Sequence, residues 1–80
     1  MQFSGPDDIE VVDLRGLKCP LPALFARRTM LACGQGEMLV VVTDDPMAAV
    51  DIPHMCWQEG FEVVASQSRD GGTAITLRKP

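Results

Sequence analysis

The sequence predicts an α+β fold, an α/β two-layer sandwich in which a four-stranded mixed sheet carries two helices on one face, with the element order β-α-β-α-β-β. Three observations lead there. Short β-branched apolar segments alternate with two stretches long enough for crossover helices. Proline and glycine fall at the segment boundaries, where helices start and stop. The last two strand-like segments are joined through Arg69-Asp70-Gly71-Gly72, a strong hairpin signal. With 80 residues, 46% of them hydrophobic, the chain has material for one core, since a chain this short buries only roughly 60% of its unfolded surface.

Residues 1–8 hold Ser4, Gly5, Pro6 and two aspartates with no apolar period, and read as a flexible N-terminal arm before a single domain over residues 9–80. Ile9 to Leu14 is β-branched and stops at Gly16, as a short strand would. A helix follows from Pro20, suited to a first helical position because its missing N–H is no loss there, to about Cys33, with Gly34 and Gly36 beyond it. Met38 to Thr43 is a continuous apolar run, expected of a strand covered on both faces.

Asp45 then supplies a cap and Pro46 a first helical residue for a second helix, which Gly60 stops. Pro53 lies inside it, so a kink or two short helices are expected there, with Asp51 or Ile52 ending the first. Phe61 to Gln67 and Thr73 to Lys79 complete the sheet.

A net charge of −4 disfavours direct contact with nucleic acid, which rewards a basic footprint. The longest apolar run, Met38 to Val42, is far short of the roughly 20 residues of a membrane crossing. Three cysteines without framework spacing suggest free thiols and a cytoplasmic protein, expected as a monomer. Arg15, Lys18, Arg27 and Arg28 are four of the seven basic residues, and no acid occurs between Asp13 and Glu37. Cys19 lies inside this basic segment.

If Pro20 opens the helix, Cys19 is its N-cap and the sulfur takes the place of the usual capping oxygen. The Leu21 N–H, left between two prolines that have none, then points at the sulfur, while the helix dipole, Lys18 and Arg15 add positive potential. On this reading Arg15, Lys18, Pro20, Leu21 and Pro22 stabilise a Cys19 thiolate of depressed pKa. The segment reads C-P-L-P and lacks the second cysteine of a dithiol oxidoreductase. A lone nucleophilic thiolate suits the carriage of a sulfur atom between thiols, which is exchange at sulfur and needs no cofactor.

Asp13-Leu14-Arg15-Gly16-Leu17-Lys18-Cys19-Pro20-Leu21-Pro22, then Asp44-Asp45-Pro46 and Asp51-Ile52-Pro53, together resemble the TusA (SirA-like) sulfur-carrier family over nearly the whole chain. The resemblance implies the sandwich fold and a persulfide on Cys19. It also implies a cysteine desulfurase or rhodanese-like donor and a downstream acceptor protein, with tRNA wobble-uridine thiolation as the best-known outlet. Molybdenum-cofactor maturation and sulfur oxidation are served by other branches, and Asp51-Ile52-Pro53 with nearby Cys56 favours TusA proper. The rival reading is a regulatory or protein-interaction module in which the C-P-L-P turn merely starts a helix.

Cys33 and Cys56 read as packing residues, His54 as a surface or satisfied residue, and Trp57 and the methionines as core fillers. A zinc site from Cys19, Cys33, Cys56 and His54 lacks the close cysteine pair that such sites use, so no metal is expected.

The first helix is apolar on two faces. Ala23, Ala26, Met30 and Cys33 form one; Leu21, Leu24, Phe25, Leu31 and Ala32 form the other, with Arg28 in its middle. Burying the second would bury a guanidinium, so the first is assigned to the core. Leu21 and Phe25, rimmed by Arg27 and Arg28, are thereby left as a partner-docking patch beside Cys19.

Overall fold

The computed structural model describes residues 9–80. The proposed arm at residues 1–8 lies outside them. Six elements follow in the expected order: β1 (Glu10–Asp13), α1 (Leu21–Ala32), β2 (Met38–Thr43), α2 (Pro46–Glu59), β3 (Glu62–Arg69) and β4 (Gly72–Arg78). The sheet order is β1-β2-β4-β3. The β1–β2 pair is parallel, while β4 runs antiparallel to both neighbours, which makes the sheet mixed.

Side-chain alternation along the two central strands decides which face carries the helices. Leu39 and Val41 of β2 stand beside Leu77 and Ile75 of β4, and all four are fully buried in one cluster with Ala26 and Met30 of α1 and Ala48, Ile52 and Cys56 of α2. Both helices therefore cover the same face, giving the α+β two-layer sandwich. The hairpin between β3 and β4 turns on Asp70 and Gly71, both at positive φ (49° and 80°), the backbone a two-residue turn needs to match strand twist. Gly72 lets the hairpin lie against the end of β2, because a Cβ there would stand 2.5 Å from the Thr43 carbonyl oxygen.

The α2 start follows its sequence signals: Asp45 accepts the Met47 N–H at 3.1 Å, Pro46 takes the first turn, and Gly60 closes the helix at φ 83°. The expected break at Pro53 is absent, and the helix runs unbroken through it. Ala48, Ile52, Met55 and Cys56, all buried, flank the proline on both sides and require helical spacing across it. Their packing outweighs the one hydrogen bond that Pro53 cannot make to Ala49.

On α1, Ala26 and Met30 are fully buried and Ala23 packs against the core, whereas Leu21, Leu24, Phe25 and Leu31 remain exposed. The small-residue face thus lies inward, as argued from Arg28. Lys79 fastens the far end of this helix by donating to the carbonyls of Leu31 and Cys33 at 3.3 and 2.8 Å. No described helix is long and apolar enough to cross a membrane.

Two expected core fillers are corrected. Trp57 is 76% exposed, stacked only on the ring of His54, and Met47 is also exposed. Both point away from the sheet, because the inward positions of α2 are already taken by Ala48, Ile52, Met55 and Cys56.

Candidate functional site

Because β1 and β2 are parallel neighbours, the loops that follow them emerge at the same end of the sheet. The first carries Cys19; the second carries Asp44 and Asp45. Ligand and reaction sites of α/β sheets gather at such carboxyl ends. Asp44 Oδ1 accepts the N–H of Gly16 at 3.0 Å, and Asp45 Oδ2 accepts the N–H of Cys19 at 2.6 Å. Asp45 is itself held rigidly, being buried, capping α2 through its other oxygen and donating its own N–H to Thr43 Oγ1. The loop bearing the thiol is thus clamped at two points to the start of α2.

The local geometry departs from the expected cap. Pro20, not Cys19, is the N-cap residue of α1; its carbonyl accepts the Leu24 N–H at 3.2 Å, and Pro22 falls inside the first turn with its side chain buried. The Leu21 N–H, expected to face the sulfur, instead donates to the Lys18 carbonyl at 2.9 Å. This closes a four-residue turn with a cis Cys19–Pro20 peptide at its centre. The turn uses the one donor between the prolines to satisfy backbone, leaving none of Pro20, Leu21 and Pro22 to donate to sulfur.

Of the basic neighbours, Arg15 is also otherwise engaged. The Arg15 guanidinium forks onto Asp13 with both contacts at 2.9 Å, holding that carboxyl down at about 2. Lys18 contributes its charge to Asp45, whose pKa is lowered first by the Cys19 and Met47 N–H groups.

What Cys19 Sγ does contact is Asp51, with Oδ2 at 2.8 Å. That hydrogen bond, partial desolvation and the charges of Asp51 and Asp45 push the thiol pKa up, not down as the capping argument expects. The Cys19 Sγ–H thus donates to Asp51 and holds its proton more tightly than a free cysteine does. In the sequence both Asp45 and Asp51 fall in the motif that carries the family resemblance, but Asp45 reads only as a cap and Asp51 only as a helix end, and neither is assigned a contact with Cys19. Their signal was the density of carboxylates in the Asp44-to-Asp51 stretch, legible only once β1 and β2 are known to be parallel neighbours.

Of the three free thiols, Cys19 is exposed, Cys33 half-buried and Cys56 fully buried, where desolvation pushes its pKa up to about 11. Beside Cys19, Pro20, Leu24 and Arg27 of α1 face Asp51, His54 and Gln58 of α2 across a shallow groove of about 280 Å³. Leu21 and Phe25 are 44% and 41% exposed on the same helix. Arg27 is not a free rim charge, since it pairs with Glu59 of α2 at 2.9 Å; Arg28 is exposed and makes no ion pair among the described residues. No cluster of three or more His, Cys, Asp or Glu side chains suited to a metal ion occurs among the described residues.

The fold has a solved counterpart. A SirA-like protein from Desulfitobacterium hafniense superposes with a TM-score of 0.78 at 21% identity, over 86% of this chain and 95% of that one. A sequence model of one family, described as sulfurtransferase TusA, matches residues 10–79, which takes in β1, the Cys19 turn, both aspartate-bearing segments and the closing hairpin. With nearly its whole length matched, the chain belongs to the TusA sulfurtransferase family.

Proposed function

We propose that this protein carries sulfane sulfur as a persulfide on Cys19, accepting it from a cysteine desulfurase or rhodanese-like donor and passing it to an acceptor protein thiol. The observation that supports this most directly is that Cys19 alone among the three thiols is exposed, on a turn at the carboxyl end of the parallel strands that is clamped in position by Asp45. A carrier must present one sulfur to two different partners, and a fixed, exposed thiol does so while Cys33 is half-buried and Cys56 fully buried. Leu21 and Phe25, with Arg28 and the Glu59-paired Arg27 beside them, form the docking surface that donor and acceptor use in turn. Thiolation of the tRNA wobble uridine is the outlet, reached through the acceptor protein and not by direct tRNA contact, in keeping with a net charge of −4. The setting is the cytoplasm, where free thiols persist.

The test is incubation with a cysteine desulfurase and cysteine, followed by intact-protein mass spectrometry. One added sulfur is expected on the wild type, on Cys33→Ser and on Cys56→Ser, and none on Cys19→Ser. A wild-type protein that gains no sulfur would leave the C-P-L-P turn as a structural helix start only.

A further inference from the structure

A thiol that donates its hydrogen to a neighbouring side-chain oxygen is a poor nucleophile at rest, which is an odd arrangement for a group that must attack sulfur. Asp51 sits on the second turn of α2, the helix that the Asp45 carboxylate ties to the Cys19 backbone, and its Oδ2 lies 2.8 Å from Sγ. Half-buried between Cys19 and the helix groove, it touches the one atom that reacts. We propose that Asp51 is the catalytic acid–base of sulfur transfer, taking the Cys19 proton as sulfur is loaded and returning it as sulfur is released. The proposal rests on the carrier reading above.

In loading, the Cys19 sulfur attacks the terminal sulfur of the donor persulfide, R–S–SH. The new Sγ–S bond forms with an electron pair from Cys19, the donor S–S bond breaks, and its pair leaves on R–S⁻. The Sγ proton passes to the Asp51 carboxylate, and the transferred sulfur keeps its own hydrogen and oxidation state. In unloading, an acceptor thiolate attacks that terminal sulfur, and Sγ departs with the bonding pair and recovers a proton from the Asp51 carboxylic acid. No outside oxidant or reductant enters either step. A carboxylate is too weak a base to strip a resting thiol, but the thiol proton becomes acidic as the new S–S bond forms, so transfer occurs only in the presence of a sulfur electrophile. The arrangement keeps the exposed Cys19 quiet toward other electrophiles between partners.

The two reactivities must therefore move in opposite directions in one variant. Asp51→Asn preserves shape and an acceptor oxygen but cannot take a proton. Loading is measured by rapid-quench mass spectrometry with glutathione persulfide as the donor, and intrinsic thiolate reactivity by iodoacetamide alkylation, both near pH 7. The expected result is loading slowed roughly a hundredfold and alkylation made faster, because a negative charge beside the sulfur is gone. Dividing wild-type by variant loading rates at each pH cancels the donor's own ionisation, and this ratio should shrink as pH rises and thiolate forms unaided. Asp51→Glu, which retains the base, should recover most of the loading.

Loading by Asp51→Asn at or above the wild-type rate overturns the proposal, as does a parallel fall in loading and alkylation in a folded variant. A wild type that takes up no sulfur overturns the carrier reading itself, a distinguishable result.

Discussion

The backbone N–H of Cys19 donates to the buried Asp45 carboxylate at 2.6 Å, and the other oxygen of that carboxylate caps α2. One side chain therefore fixes both the Cys19 turn and the helix that carries Asp51, so Asp45 helps set the Sγ–Asp51 distance.

Asp45→Ala should accordingly weaken folding and sulfur transfer together. Loss of the cap alone lowers Tm by on the order of 5 °C in a domain of this size, and the freed turn should slow loading of Cys19 while the thiol stays accessible to iodoacetamide. The same carboxylate predicts acid sensitivity. Its folded-state pKa is depressed, so its stabilising contribution is present above the unfolded value near 3.8 and is lost as pH falls through the lower folded value. Thermal melts from pH 5 downward should show this loss in the wild type, and Asp45→Ala should reduce it, leaving the part that comes from Asp13 paired with Arg15.

The pH profile of Cys19 alkylation is expected to inflect above that of an unperturbed cysteine, since its immediate neighbours are the carboxylates of Asp51 and Asp45. Iodoacetamide rates on Cys33→Ser, read between pH 7 and 10.5, isolate the signal. An inflection below the ordinary value would restore the helix-start activation read from the sequence.

Truncations on the two faces of α1 should differ sharply. Met30 is fully buried, so Met30→Ala should cost about 2–5 kcal/mol through lost contacts and a cavity. Phe25→Ala should cost about 1 kcal/mol or less yet reduce transfer from the protein donor. Chemical denaturation of both variants provides the comparison.

Pro53→Ala should stabilise the protein. An interior proline costs a helix roughly 3 kcal/mol relative to alanine, partly offset by up to about 1 kcal/mol from its stiffening of the unfolded chain. Because α2 is already unbroken, the new N–H can reach the Ala49 carbonyl without rearrangement. A midpoint shift in urea worth about 2 kcal/mol is the expected reading.

By itself the sequence determined the element order, the hairpin at Asp70-Gly71, the Asp45 cap and the inward face of α1, and it placed Cys19 on the turn between β1 and α1. Those features depend on residues close together in the chain, whose backbone preferences and apolar spacing act locally. Only the tertiary structure decided that α2 continues through Pro53, since the packing of Ile52 and Cys56 against β2 and β4 must be weighed against a local proline penalty. It also decided the charge around Cys19. Arg15 is drawn off by Asp13 and the Leu21 N–H by Lys18, while parallel pairing of β1 with β2 brings Asp45 onto the Cys19 backbone N–H and Asp51 onto its thiol, from 26 and 32 residues away in the chain. Electrostatic environment depends on distance in space, and for a sulfur at the junction of two loops that distance exists only once the sheet has formed.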